Sequence, residues 1–155
     1  MAKNRVYIGI DPGSMGAIAI LNSDGSLQKS EIYNAFEISN ILSDLKSTNI
    51  DSVFICTLEK VHSMPRDGVK QAFKFGENYG FVKGSLVSLG IPFQEVTPQS
   101  WKKEFSLLKK DKSESIRTCK ELFPGVNLLR SDRCKKESDG LAEAILIAEY
   151  GRRHF

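Results

Sequence analysis

Four acidic residues stand where their carboxylates could act together. Asp11 closes a β-rich run and is followed by a Pro-Gly turn, while Glu59 closes an apolar, strand-like run. Asp139 and Glu143 are four residues apart in a helical pattern, so they share one helix face. If the two strands are neighbours, the four side chains supply the hard oxygen ligands that Mg²⁺ or Mn²⁺ prefers.

Such a carboxylate group supports hydrolysis of a phosphodiester, in which two ions roughly 4 Å apart activate water and stabilise the leaving oxygen. No nucleophilic side chain is then required. His62 and His154 are the only histidines and are far apart in the sequence, and no Ser-His or Cys-His arrangement stands out. The residue types therefore favour water activated by Mg²⁺, with Mn²⁺ as a substitute, over nucleophilic catalysis.

Each acid also has a purely structural interpretation. Asp11 could cap its turn, and Glu59 could be a solubilising residue at the end of a strand. Asp139 and Glu143 could form a solvated acidic stripe, with Lys136 beside them as a charge partner. Only the simultaneous presence of all four acids favours a metal site.

Charge is unevenly distributed along the chain. The formal net charge is +3, yet residues 102–136, here called the basic segment, contain 11 Lys and Arg against 5 Asp and Glu. A nucleic-acid contact and a solvated helical face both explain such a segment. The segment includes Lys102, Lys103, Lys112 and Lys136.

The pattern along the chain predicts an α/β fold with five strands. Three antiparallel strands are expected at residues 6–10, 16–21 and 26–33, followed by a helix over 35–46 and a strand over 52–59. A long helix over 69–89 and a fifth strand over 91–96 come next. The resulting sheet is mixed and flanked by helices.

The carboxyl-terminal part is predicted to be helical. Thr97 and Pro98 form a helix start for a short helix with Trp101, and a helix over 112–122 has Ser113 as its expected cap. The last helix is expected from about residue 137 to 152, with Arg152 near its negative end.

Glycines 76, 80 and 84 lie on one face of the long helix, because they are spaced by four residues. A helical glycine costs about 1 kcal/mol relative to alanine, which is tolerated where another backbone comes close. Packing on the sheet of the same chain and packing against a dimer partner both explain this face, and sequence does not separate them.

Length and composition are those of one ordinary folded domain spanning residues 1–155, with 41% hydrophobic and 26% charged residues. No apolar run is long enough to span a membrane, and the first five residues lead directly into a strand pattern. We therefore expect a cytoplasmic protein. Cys56, Cys119 and Cys134 show no short C-x-x-C spacing and are expected to be reduced, structural thiols.

An ordered set of motifs resembles the RuvC family of Holliday junction resolvases, especially its phage and prophage branch. The resemblance spans nearly the whole chain. The motifs are Ile8-Gly9-Ile10-Asp11-Pro12-Gly13, Leu58-Glu59-Lys60-Val61-His62, Lys74-Phe75-Gly76-Glu77-Asn78-Tyr79-Gly80, Thr97-Pro98-Gln99-Ser100-Trp101-Lys102-Lys103 and Asp139-Gly140-Leu141-Ala142-Glu143-Ala144.

The resemblance implies an RNase H-like fold and a magnesium-dependent endonuclease for four-way junctions and other branched DNA. By this resemblance, the four acids are expected to be catalytic metal ligands. Bacterial members have their last two metal-site residues three apart, whereas Asp139 and Glu143 are four apart. The family position that matches Asp139 holds either His or Asp.

DNA contacts follow from the same resemblance. Lys102 and Lys112 correspond to basic residues that contact DNA or assist the leaving group, and Lys103 and Lys136 belong to the same basic segment. His62 falls where bacterial members have an aromatic residue that contacts the junction. Two symmetric cuts imply a homodimer, and the family implies a bacterial or phage-infected bacterial cell.

Two other functions fit part of the sequence. An actin-like kinase or ATPase could use residues 11–14 as a phosphate-binding turn, but such enzymes need a second RNase H-like domain with another phosphate loop. A non-catalytic module could bind branched DNA without cutting it. Nucleotide-binding and cleavage assays separate these alternatives.

Overall fold

The computed structural model describes residues 3–13, 15–34 and 36–155. Within these ranges five strands and five helices follow one another. They are β1 (Arg5–Asp11), β2 (Gly16–Leu21), β3 (Leu27–Tyr33), α1 (Glu37–Thr48), β4 (Val53–Glu59), α2 (Val69–Ser88), β5 (Phe93–Val96), α3 (Pro98–Glu104), α4 (Lys112–Leu122) and α5 (Asp139–His154).

The five strands form one mixed sheet in the order β3-β2-β1-β4-β5. β1, β2 and β3 pair antiparallel, which confirms the predicted opening of the fold. β4 lies parallel to β1 on its other side, and β5 lies parallel to β4. The register pairs Ile10 with Leu58, so the next residues, Asp11 and Glu59, end neighbouring strands at the same edge.

Helices cover both faces of the sheet because its central strands are apolar on both sides. Alternate β1 residues such as Ile8 and Ile10 pack with Leu42 of α1 and Leu86 of α2. The opposite face packs against α5, whose buried residues include Leu141 and seven further apolar residues up to Gly151. β1, β4 and α5 thus form the centre of the fold.

Gly9 lets α5 lie directly on β1. A Cβ atom at this position would be 2.2 Å from the carbonyl oxygen of Ala144 and 2.3 Å from the amide nitrogen of Ala148. Both contacts are with backbone atoms, which cannot rotate away. The absence of a side chain at Gly9 therefore determines how closely α5 packs against β1.

Most predicted elements are confirmed, with ends that differ by a few residues. α4 has the predicted bounds, but its N-cap is Asp111, whose carboxylate accepts from the Lys112 amide, so the Ser113 cap was wrong. α5 begins at Asp139 rather than 137, because the Ser138 hydroxyl accepts from the Leu141 amide and caps the helix there. Thr97 and Pro98 start α3 as predicted.

The glycine face of α2 does not pack on the sheet. A Cβ atom built at Gly76, Gly80 or Gly84 meets no atom within 4 Å. The residues that α2 buries are Val82, Ser85 and Leu86, which lie on the opposite face. Of the two explanations that the sequence left open, packing of the three glycines on the sheet of the same chain is therefore excluded.

All three cysteines are free thiols, with Cys56 and Cys119 buried and Cys134 partly exposed, as the sequence predicted. Across residues 3–13, 15–34 and 36–155, no helix is both long enough and apolar enough to cross a membrane.

Candidate active site

Asp11 and Glu59 are brought together by the parallel pairing of β1 and β4. Both side chains point to the face that α5 covers, since they alternate with Ile10 and Leu58 on the opposite face. Glu59 is buried, with 8% of its surface exposed. The two carboxyl groups are close enough to share a hydrogen bond when one of them is protonated.

The first turn of α5 brings the other two acids to the same place. Ser138 caps the helix, and Gly140 lies against Asp11, with its Cβ position 3.8 Å from Asp11 Oδ2. Asp139 opens the helix and Glu143 follows one turn later on the same side. Asp11, Glu59, Asp139 and Glu143 are called the acidic cluster below.

Proton affinities show that the four carboxyl groups affect one another. Loss of solvation raises the pKa of Asp11 well above its usual range, and the charges of Glu59 and Asp139 raise it further. Burial is also the main reason why the pKa of Glu59 is raised. Burial and the charge of Asp11 raise the pKa of Glu143 to about 7. Negative charge is therefore unfavourable in the cluster unless a cation balances it.

Two lysines of the basic segment supply positive charge at the cluster. Lys112 Nζ lies 3.0 Å from Asp139 Oδ2, across the gap between α4 and α5. Burial tends to raise the pKa of Asp139, but this ion pair outweighs burial and lowers it. The positive charge of Lys102 lowers the pKa of Glu59 and of Glu143, against the effect of burial.

The chemistry of the donor set fits a divalent cation, because four carboxylates destabilise one another around one position. The side chains are not already arranged as a complete metal site. Among the residues that the structure describes, no three His, Cys, Asp or Glu side chains form a group that could hold an ion. One reason is visible at Asp139, whose carboxylate is paired with Lys112.

The remaining residues of the sequence prediction lie outside this group of contacts. Lys103 is exposed on α3, and His62 is exposed in the segment between β4 and α2. Lys136 is exposed just before α5, but the charge partner of Asp139 is Lys112, so the expected Lys136 pair was wrong. Lys136 is nearer to Asp139 in sequence. However, α4 crosses the start of α5, so the first residue of α4, Lys112, contacts the Asp139 carboxylate.

Sequence reasoning missed the contact between Trp101 and the acidic cluster. The Trp101 indole nitrogen donates to Glu59 Oε1 at 3.4 Å, and the ring is fully buried. A signal was present, because α3 begins directly after β5, the strand that pairs with the end of β4. A tryptophan in the first turn of that helix must lie close to Glu59.

Comparison with solved structures identifies similar folds. RuvC of Thermus thermophilus in complex with a Holliday junction substrate superposes with a TM-score of 0.66 at 16% identity, over 92% of this chain and 90% of that chain. Another Thermus thermophilus RuvC structure gives 0.63 at 16% identity, with the same coverage. The yeast mitochondrial Holliday junction resolvase Ydc2 gives 0.62 at 14% identity, over 94% of this chain and 77% of that chain.

Sequence comparison adds nothing to this result, since no family model and no curated protein matches the chain. The structural likeness to the Thermus thermophilus RuvC structures extends over 92% of this chain. The chain therefore has the RNase H-like fold of RuvC-type resolvases, a mixed five-stranded sheet flanked by helices.

Proposed function

We propose that this chain is a metal-dependent endonuclease that cuts Holliday junctions and other branched DNA. One observation carries the proposal: Asp11, Glu59, Asp139 and Glu143 converge from two strand ends and one helix. They do so in a fold shared with Holliday junction resolvases, one of which was solved with a junction substrate. The sequence motifs that resemble the phage and prophage branch of the RuvC family favour the same activity.

The acidic cluster is proposed to hold Mg²⁺, or Mn²⁺ in its place, with two ions per site. When bound, such ions activate water and stabilise the leaving 3′ oxygen of a phosphodiester. The protein contributes the ligands. Asp11 and Glu59 are fixed by the sheet, whereas Asp139 and Glu143 are fixed by a capped helix. Rigid elements of this kind hold ligands within the narrow tolerance that catalysis requires.

Basic residues beside the acidic cluster are proposed to contact the DNA backbone. Lys112 is paired with Asp139 of the cluster, and the charge of Lys102 acts on Glu59 and Glu143, so both could meet a scissile phosphate there. Lys103, Lys136 and His62 are exposed and free to contact flanking DNA. Phosphate contacts of this type supply affinity and a strong salt dependence, while the shape of the junction supplies selectivity.

A homodimer is part of the proposal, because two symmetric cuts need two active sites. The exposed face of α2 supports it. Apolar side chains and bare glycines follow one another on this face at helical spacing, so that a second helix could approach closely. The residues of this α2 stripe are Val69, Phe73, Gly76, Gly80, Gly84 and Val87.

Light scattering on purified protein tests the dimer. We expect the wild type to have twice the mass of one chain, and Phe73→Glu and Gly80→Arg to give monomers. Ile50→Glu is a matched control, because Ile50 is 83% exposed and lies outside α2. A monomeric wild type, or dimers that survive both substitutions, would remove the α2 stripe from the proposal.

Cleavage of branched DNA implies that the protein works where such DNA is present. We place it in the cytoplasm of a bacterial or phage-infected bacterial cell. The assay for the proposed activity is incubation with end-labelled four-way junction, replication fork and linear duplex, in Mg²⁺ and in Mn²⁺. Selective cutting of the junction supports the endonuclease, whereas junction binding without cutting in either metal supports the non-catalytic module.

A further inference from the structure

Trp101 occupies an unusual position for a core residue, because its one polar atom faces the acidic cluster. The indole N–H donates to Glu59 Oε1 at 3.4 Å, and both side chains are buried. An indole nitrogen can only donate a hydrogen bond. A carboxylate acceptor that is removed from water gains more from such a donor than an exposed one does.

The position of the ring is fixed by its own helix. Val96 of β5 pairs with Glu59, and the Thr97 hydroxyl then accepts from the Ser100 amide, which starts α3 beside the end of β4. Trp101 is fully buried in the hydrophobic cluster that contains Leu141 and Ile145 of α5. The indole therefore has no free rotation, and its N–H direction is set by the packing.

Glu59 has two contacts of opposite kind. Asp11 is a neighbouring acid, and Trp101 is a hydrogen-bond donor. Without the donor, the three side-chain torsions of Glu59 lose the hydrogen bond that the buried indole supplies. With the donor, Glu59 Oε1 has a partner that packing fixes in place, and the indole leaves Oε2 unengaged.

We propose that Trp101 is a positioning residue that orients the Glu59 carboxylate for a divalent cation. The inference rests on the proposed metal-dependent function and adds a residue to it. Lys102 supports the same arrangement, since its Nζ lies 5.3 Å from the centre of the Trp101 ring and its charge acts on Glu59. Donors that orient metal ligands typically change affinity 10–100-fold when they are removed.

The ring also provides a readout without any label. Trp101 is the only tryptophan of the chain, so the intrinsic emission of the protein reports on the surroundings of this one indole. A cation that binds Glu59 changes the charge on the atom to which the indole donates. Binding should therefore shift or quench tryptophan emission, and the paramagnetic Mn²⁺ should quench it more than Mg²⁺ does.

The first experiment measures cation affinity by calorimetry in the absence of DNA. Trp101→Phe retains an aromatic ring but lacks the N–H, and we expect its affinity for Mn²⁺ to be about 10–100-fold weaker than that of the wild type. Phe105→Leu is the matched control, because Phe105 packs against the same hydrophobic cluster. It should lose stability and keep wild-type affinity. Equal affinity in Trp101→Phe and wild type would overturn the inference.

The second experiment uses wild-type emission and does not depend on how well a tryptophan variant folds. Titration with Mg²⁺ and with Mn²⁺ should change the emission of the wild type and leave that of Glu59→Gln unchanged. If calorimetry detects binding while wild-type emission stays constant, Trp101 does not sense Glu59, and the positioning role alone is wrong. If the wild type binds neither cation, the proposed metal-dependent function fails together with this inference.

Discussion

Lys112 and Asp139 form an ion pair that joins the start of α4 to the start of α5, with Nζ 3.0 Å from Oδ2. The pair raises the pKa of Lys112 and lowers that of Asp139, so both groups are charged at neutral pH. Asp139 is also one of the proposed metal ligands. A bound cation and the Lys112 ammonium therefore compete for the Asp139 carboxylate. A phosphate that draws Lys112 away would leave this carboxylate available to the cation.

The first prediction concerns Lys112. Lys112→Ala should weaken junction binding and reduce cleavage at least tenfold, because a phosphate contact at the cluster is lost. The slope of log affinity against log salt concentration should fall by about 1. Binding measured by fluorescence anisotropy at several salt concentrations gives both quantities.

Lys120→Ala is the matched control for Lys112. Lys120 lies on the same helix and is also paired with an acid, Glu137 at 3.1 Å, but that acid is outside the acidic cluster. We expect Lys120→Ala to cleave the junction at the wild-type rate and to show the wild-type slope of log affinity against log salt concentration. Equal losses in the two variants would show that α4 contributes only general positive charge.

The second prediction is a fall in stability as pH rises in the presence of a chelator. The pKa of Glu143 is about 7 in the folded protein and about 4.5 for an ordinary glutamate. Between these values the folded chain retains a proton that the unfolded chain has lost. Stability is therefore greatest below about pH 4.5 for this group and is lost as pH rises through 7.

Glu143→Gln tests this dependence, because it removes the titrating group with little change in volume. Thermal unfolding at pH 5 and pH 8 should show a smaller difference for the variant than for the wild type. The loss of unfolding free energy between pH 5 and pH 8 should be larger in the wild type than in the variant by on the order of 2 kcal/mol, once the partial exposure of the Glu143 side chain is allowed for. Parallel pH curves for the two proteins would show that Glu143 is not strained by the cluster.

The third prediction concerns the approach of α5 to β1. Gly9→Ala should destabilise the fold by on the order of 3 kcal/mol, because its Cβ would meet backbone atoms of Ala144 and Ala148. Gly68→Ala is the control, since a Cβ there has open space, and its effect should be within about 1 kcal/mol. Urea unfolding measures both, and similar stabilities would contradict the described contact.

Much of the architecture was readable from the sequence because apolar alternation and turn residues determine it locally. Asp11 and Glu59 could be assigned to strand ends in this way, and the parallel pairing of β1 and β4 made them neighbours. Side-chain partners were less predictable, since they depend on how distant elements cross. Lys136 is three residues from Asp139, but Lys112 reaches it from α4.

The glycine face of α2 shows a second limit of prediction from sequence. Regular spacing placed Gly76, Gly80 and Gly84 on one face, but it did not say which face the sheet would cover. The side that is buried carries Val82 and Leu86, although Phe73 on the glycine face is also apolar. The Trp101 contact was missed for a related reason, as it depends on the order of β4 and β5 in the sheet.

The fourth prediction uses the spacing of the acids in α5. Asp139→His should retain some cleavage in Mn²⁺, because imidazole can bind this ion. Glu143→Gln should lose cleavage more than 100-fold. Junction cutting in Mn²⁺ measures both. Normal cutting by Glu143→Gln would mean that Asp139 has another acidic partner, and Glu137 would be the next residue to replace.

The most direct measurement is cleavage of a labelled four-way junction in Mg²⁺ by the wild type, Asp11→Asn and Glu59→Gln. Each substitution removes a charge from the acidic cluster but little volume, so fold and junction binding should persist. We predict paired cuts by the wild type and at least a 1000-fold loss for both variants, with junction affinity within about threefold of wild type. Cutting at the wild-type rate by either variant would contradict the acidic cluster as the active site.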